Sequence, residues 1–170
     1  MHIFMVYVLQ VFGLWSIWKT RYGTYAILND KEIKVFNHGD MSRDFTYIDD
    51  IVDGVIKVID NPIETSNSLE VDFEKNLPLD KSTASYRIYN IGNNAPIKLM
   101  DFINTLEKAI GKEAKKNFLP MQDGDVQSTY ADVSDLINDF EYKPNTILEN
   151  GIKKFVKWYE EFYKIKGKYE

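Results

Sequence analysis

Three apolar stripes recur at helical spacing along the chain, and short β-rich runs separate them. Such punctuation directs a chain toward packed layers of helix and sheet, a mixed α/β fold. In the first stripe Ile48, Ile51, Val52, Val55 and Ile59 fall at i, i+3, i+4, i+7 and i+11. Asp49, Asp50 and Asp53 stand near its start, where a helix dipole favours negative charge, and Asn61-Pro62 predicts its end. The second stripe is Leu99, Phe102, Ile103, Leu106 and Ile110, with Gly111 placed as a C-terminal cap. The third is Leu148, Ile152, Phe155, Val156, Tyr159 and Tyr163, opposed by Lys153, Lys154, Lys157 and Glu160. Thr146 and Glu149 have capping-box spacing ahead of it, just after Lys143-Pro144. This last face fits a terminal helix docking on its own domain better than one lying on a membrane. Asp132 can cap a shorter helix reaching about Phe140.

The intervening runs read as strands. Residues 3–8 are continuously apolar, as expected of a parallel strand covered on both faces. Residues 32–36 and 86–91 alternate polar and apolar, the mark of a half-exposed strand. Residues 14–28 combine helix-compatible spacings with Gly23 and several β-formers, so both assignments stay open. For the first 18 residues as a whole, a buried strand and its following loop is the expected account. The run is too short for a membrane span, and it lacks the basic start and small-residue cleavage site of a signal peptide. Residues 64–85 are polar and irregular, which predicts a flexible surface loop.

Composition narrows the function. A chain of 170 residues with 44% hydrophobic residues can form one domain with its own core. A net charge of −5 argues against nucleic acid, which needs clustered Lys and Arg. The same charge leaves room for a small anion held by one arginine. There is no cysteine, hence no disulfide, thiolate ligand or cysteine nucleophile, in keeping with a cytoplasmic protein. His2 and His38 are too far apart in sequence to suggest a metal site.

One segment carries the chemistry: His38-Gly39-Asp40-Met41-Ser42-Arg43-Asp44-Phe45-Thr46-Tyr47-Ile48-Asp49-Asp50. It sets an arginine between a glycine-bearing turn and an extended aromatic stretch. A guanidinium offers five donors in a planar fork and suits diphosphate oxygens. The plain alternative is a salt bridge to Asp44, Asp49 or Asp50. A second element is Met121-Gln122-Asp123-Gly124-Asp125-Val126, where glycine permits a tight turn and a carboxylate could accept hydroxyls. An ordinary Asp-Gly turn is its plain alternative.

Together with Thr129-Tyr130-Ala131-Asp132, these residues resemble the C-terminal, substrate-binding part of the NAD-dependent nucleotide-sugar epimerases, within the extended short-chain dehydrogenase/reductase family. The resemblance runs from about Leu28 to Tyr163, and the Met121-Gln122 pair is similar to the UDP-glucuronate 4-epimerase branch. It implies a truncated extended fold: residues 1–28 as a diverged remnant of the parallel sheet and substrate loop, residues 29–170 as a small nucleotide-sugar-binding α/β domain. It further implies that Arg43 contacts the substrate diphosphate and Asp125 the nucleotide ribose. The strand bearing Lys34 and Phe36 would run beside the uracil, unless Phe36 is simply core. Gln122 stands where many relatives have an arginine, so one phosphate contact differs.

The same family uses a Gly-rich dinucleotide fingerprint and a Tyr-x-x-x-Lys pair. No two of the nine glycines stand three apart, and none of the eleven tyrosines has a lysine four positions later. NAD is therefore implied for the full-length family and not for this chain alone. The family's Gly-Pro-Trp-Gly-Arg-Pro type of segment is also replaced, by Val8-Leu9-Gln10-Val11-Phe12-Gly13-Leu14-Trp15, as a shifted reading frame or an eroded gene would leave it. The expected partner is a UDP-sugar, with a homo-oligomer or a complementing chain as a second partner and neither nucleic acid nor membrane. The alternatives are a non-enzymatic remnant that self-associates through its N-terminal strand, and a fragment of a sibling nucleotide-sugar dehydratase.

Overall fold

A computed structural model describes residues 3–8, 11–12, 17–61 and 86–163, with side chains from residue 21 onward in those ranges apart from Tyr86. The loop expected at 64–85 and the segment at 13–16 lie outside the described residues. In chain order the elements are β1 (Ile3–Val8), β2 (Val11–Phe12), α1 (Ile17–Leu28), β3 (Glu32–Val35), β4 (Ser42–Arg43) and β5 (Thr46–Tyr47). Then come α2 (Ile48–Asp60), β6 (Tyr86–Ile91), β7 (Ile97–Lys98), α3 (Leu99–Ile110), β8 (Lys115–Phe118), α4 (Ser134–Phe140) and α5 (Leu148–Phe162). The fold is mixed α/β, with parallel pairings β1–β6, β2–β5 and β3–β8, and β4 antiparallel to β7.

The period-two reading of residues 32–36 translates directly into burial: Ile33 and Val35 point inward while Glu32 and Lys34 face solvent. β1 runs in register with β6, Ile3 opposite Tyr86 and Val8 opposite Ile91. Within the ambiguous stretch, residues 17–28 form helix α1, whose Ala26 and Ile27 are buried.

Two apolar clusters form the core. The first joins α1, β3, α3 and α5 through Ile27, Val35, Phe102, Leu106, Ile152 and Phe155, among others. Within it the α3 stripe behaves as its spacing predicts, with Phe102, Ile103, Leu106 and Ile110 buried, each contributing about 1.5–3 kcal/mol. Gly111 caps α3 at φ 72°, a conformation that costs a residue with a Cβ. The second cluster joins Ile51 and Val58 of α2, Tyr89 and Ile91 of β6, Leu136 and Phe140 of α4, and Tyr142.

Three expectations about the helices need correction. On α2 the buried face is Asp50, Ile51, Gly54 and Val58, while Val52 and Ile59 are exposed. The rotation follows from Gly54, against which Ile91 and the Tyr142 ring pack closely enough that a Cβ would overlap both. On α5 the capping box does not form: the cap position is Ile147, with no side-chain cap bond. The amides of Asn145 and Thr146 instead donate to the Asp50 carboxylate of α2, at 3.3 and 3.2 Å. The cap position of α4 is Val133, one residue after the expected Asp132, which instead bonds the first helical residue, accepting from the Ser134 N–H and hydroxyl at 3.0 and 2.6 Å. Those two bonds hold its carboxyl below the usual carboxylate range. The α5 face docks on α3, with Ile152, Phe155, Val156 and Tyr159 buried. Among the described residues no helix is long and apolar enough to cross a membrane.

Candidate functional site

The segment around Arg43 is fixed from both sides before any ligand is considered. Ser42 and Arg43 pair antiparallel with Lys98 and Ile97, and the Leu99 N–H donates to the Met41 carbonyl at 2.8 Å. Phe45 stacks on Phe102 with ring centroids 4.4 Å apart, anchoring the segment in the first core cluster. Asp44 turns the other way and is almost fully buried. Its carboxylate accepts the N–H groups of Asn94, Ala95 and Ala131 at 3.0, 3.3 and 3.1 Å. Gly92 is required there, since a Cβ would stand 2.9 Å from Asp44 Oδ2 and 2.6 Å from Ala131 Cβ.

Residues 125–129 lie alongside. The Ser42 N–H donates to the Gln127 carbonyl at 2.9 Å, the Thr129 N–H to the Ser42 carbonyl at 3.3 Å, and the Ser42 and Ser128 hydroxyls meet at 2.7 Å. Gln127 Nε2 donates to Asp40 Oδ2 at 2.8 Å, tying the same strip to the turn before β4. Into this strip Arg43 extends its fork. Nη2 donates to Asp125 Oδ1 at 2.8 Å and to the Val126 carbonyl at 2.7 Å. Nη1 donates to the carbonyls of Ser42 and Gln127 at 2.7 and 3.0 Å. The two charged side chains keep 11% and 23% of their surface exposed, so the pair lies at the edge of solvent.

The structure thus brings Arg43 and Asp125 into direct contact, and neither is idle. The acids nearest Arg43 in sequence are engaged elsewhere: Asp44 and Asp50 take backbone amides, and Asp49 pairs with Lys154 at 3.3 Å. Gln122 is exposed and closes the Gly124 turn through its carbonyl, which accepts the Asp125 N–H at 3.1 Å. Lys34 faces solvent on β3 opposite Asn117, and Phe36 is half-buried at the head of a tight turn. That turn, Phe36–Gly39, holds Asn37, His38 and Gly39 at positive φ, and its link to the Arg43 strip runs through Asp40. Asp40, Asp44, Ser42, Gln127 and Ser128 escaped the sequence reading as site residues. Asp44 was signalled by its place in the Arg43-Asp44-Phe45 run; the others had no local signal.

Nη1 and Nη2 together meet four protein acceptors, so this charged fork can take an anion only where one of those acceptors gives way. A dinucleotide cofactor would need glycine-rich backbone at a helix start. The residues preceding α2, α3 and α5 are Tyr47, Lys98 and Ile147, so the described starts of these helices do not fit one.

Residues 20–92 match the model of the NAD dependent epimerase/dehydratase family. Protein CapI of Staphylococcus aureus is 46% identical over 142 residues, 83% of this chain and 41% of its own length. UDP-glucuronate 4-epimerase 2 of Arabidopsis thaliana is 37% identical over 164 residues, 93% of this chain and 36% of its own. Among solved structures, UDP-glucuronic acid 4-epimerase from Bacillus cereus, in complex with UDP-glucuronic acid and NAD, superposes with a TM-score of 0.72 at 27% identity. That match covers 93% of this chain and 45% of the Bacillus chain. The chain spans about two fifths of the length of the curated relatives it matches. By sequence and by fold, the chain belongs to the NAD dependent epimerase/dehydratase family.

Proposed function

We propose that this chain is the nucleotide-sugar-binding portion of an NAD-dependent sugar 4-epimerase, taking a UDP-hexuronate or UDP-hexose and not turning it over unaided. The observation that carries the reading is that Arg43 and Asp125, 82 residues apart in sequence, pair at the edge of solvent, so that opening this one ion pair presents a cation and a carboxylate together. One is suited to a diphosphate and the other to a ribose diol. Lys34 on β3, Phe36 in the turn that follows it and Gln122 in the Gly124 turn are the further residues assigned to this ligand. Incapacity for turnover rests on the lack of a Gly-rich fingerprint and a Tyr-x-x-x-Lys pair in the chain. Calorimetry with UDP tests the assignment. The chain binds weakly, and Arg43→Ala lowers the affinity by about 10- to 100-fold, as expected for losing charged hydrogen bonds. Indistinguishable titrations of the two proteins would remove the idea.

A second reading is favoured by β1. Among the described residues this strand pairs on one edge alone, with β6, and a parallel strand ordinarily lies inside a larger sheet. The free edge suits a second copy or a complementing chain. Size-exclusion chromatography over a wide concentration range is expected to show association, and a clean monomer throughout would remove this reading.

A further inference from the structure

Resting on the binding role given to Arg43 and Asp125, we infer that Asp125 is also the specificity-determining residue of the site, occupying Arg43 so that bare phosphates are refused. Arg43 is not an empty anion hole: Asp125 Oδ1 sits on Nη2 at 2.8 Å, where a phosphate oxygen would bind. A ligand must displace that carboxylate, and displacement costs it a second bond, since the same Oδ1 accepts the Val126 N–H at 2.9 Å. The turn can release it. Residues 121–124 are exposed, Gly124 sits at φ 78° with open space around it, and the turn is closed by the bond from the Asp125 N–H to the Gln122 carbonyl. The other acceptors on the fork are the carbonyls of Ser42, Val126 and Gln127, which belong to the backbone strip and stay with it.

The exchange therefore discriminates by what it returns to Asp125. A nucleoside diphosphate brings a vicinal diol, two O–H donors for the freed carboxylate. Inorganic pyrophosphate brings a diphosphate with no diol, and leaves Asp125 without its two hydroxyl donors beside new negative charge. Selectivity for the nucleotide then comes from a penalty against its competitor as much as from contacts to the ligand itself.

Calorimetry with UDP and with inorganic pyrophosphate on the unmodified chain, Asp125→Ala, Asp125→Asn and Asp123→Ala separates the possibilities. Asp123 is an exposed neighbour and controls for the loss of one negative charge. Both Asp125 variants are expected to bind pyrophosphate about five- to tenfold more tightly, and to lose most of the preference for UDP. Asp123→Ala is expected to change neither by more than about twofold. Unchanged or weaker pyrophosphate binding in both Asp125 variants overturns the inference, as does an equal gain in Asp123→Ala. UDP binding to the unmodified chain together with such a result strikes only this inference. No UDP binding to the unmodified chain strikes the binding role beneath it as well.

Discussion

At the scale of single residues, Asp44 and Arg43 divide one short segment between scaffold and site. The Asp44 carboxylate is buried and held by the N–H groups of Asn94, Ala95 and Ala131, which fastens three stretches of chain to one point. Asp44→Ala would leave those amides without their acceptor, so urea unfolding should show a loss of about 3 kcal/mol or more. A loss under about 1 kcal/mol would mean that water replaces the carboxylate without penalty. Arg43 and Asp125 could both be singled out from sequence, by residue type and by family likeness. Their contact could not. A salt bridge is first sought among near neighbours, and Asp44, Asp49 and Asp50 all stand within reach along the chain. Tertiary structure commits each of those acids elsewhere and delivers an acid from 82 residues away.

At the scale of elements, helices were legible where spacing and burial coincide, and misread where a neighbour intrudes. α3 is the clear case: its stripe and its Gly111 cap are both local features, and the structure keeps both. α2 shows the limit. Its apolar residues describe a broad face, yet which part is buried depends on Gly54, a gap that Ile91 and Tyr142 fill from other elements. Gly54→Ala tests that account. Helix propensity favours alanine by about 1 kcal/mol, while overpacking against two fully buried side chains costs about 1–3 kcal/mol. With the nearest contact at 2.3 Å the upper end applies, and a net destabilisation of about 1–2 kcal/mol is expected by urea unfolding. A stabilised variant would show that α2 is not seated on β6 as described. The α5 start went astray for a comparable reason. Thr146 and Glu149 form a plausible capping box in isolation, but Asp50 takes the Thr146 amide first.

At the scale of the whole molecule, the tyrosines report on the integrity of the fold. Burial pushes the Tyr89 hydroxyl well above its ordinary value, reinforced by its bond to Asp139; burial does the same to Tyr142, reinforced by Asp50, Asp44 and Asp53. Tyr47 and Tyr159 are raised too, again by burial first. A folded-state value above the unfolded one favours the protonated form in the native state. Stability from these groups is therefore complete below about pH 10 and is lost as pH rises beyond it. Tyrosinate absorbance and circular dichroism, followed together through an alkaline titration, should show Tyr89 and Tyr142 ionising only as the structure opens. Ionisation of all eleven tyrosines without loss of structure would contradict that burial.

The whole molecule also decides whether the site can work, because its parts come from β4, the turn before it and the strip at 125–129. Crystals of the chain soaked with UDP offer the most direct test. Difference density for a diphosphate on the Arg43 fork is expected, with the Asp125 carboxylate turned off the guanidinium and onto the ribose hydroxyls. Density placed elsewhere, or an Arg43–Asp125 pair still closed in crystals saturated with UDP, would contradict the account.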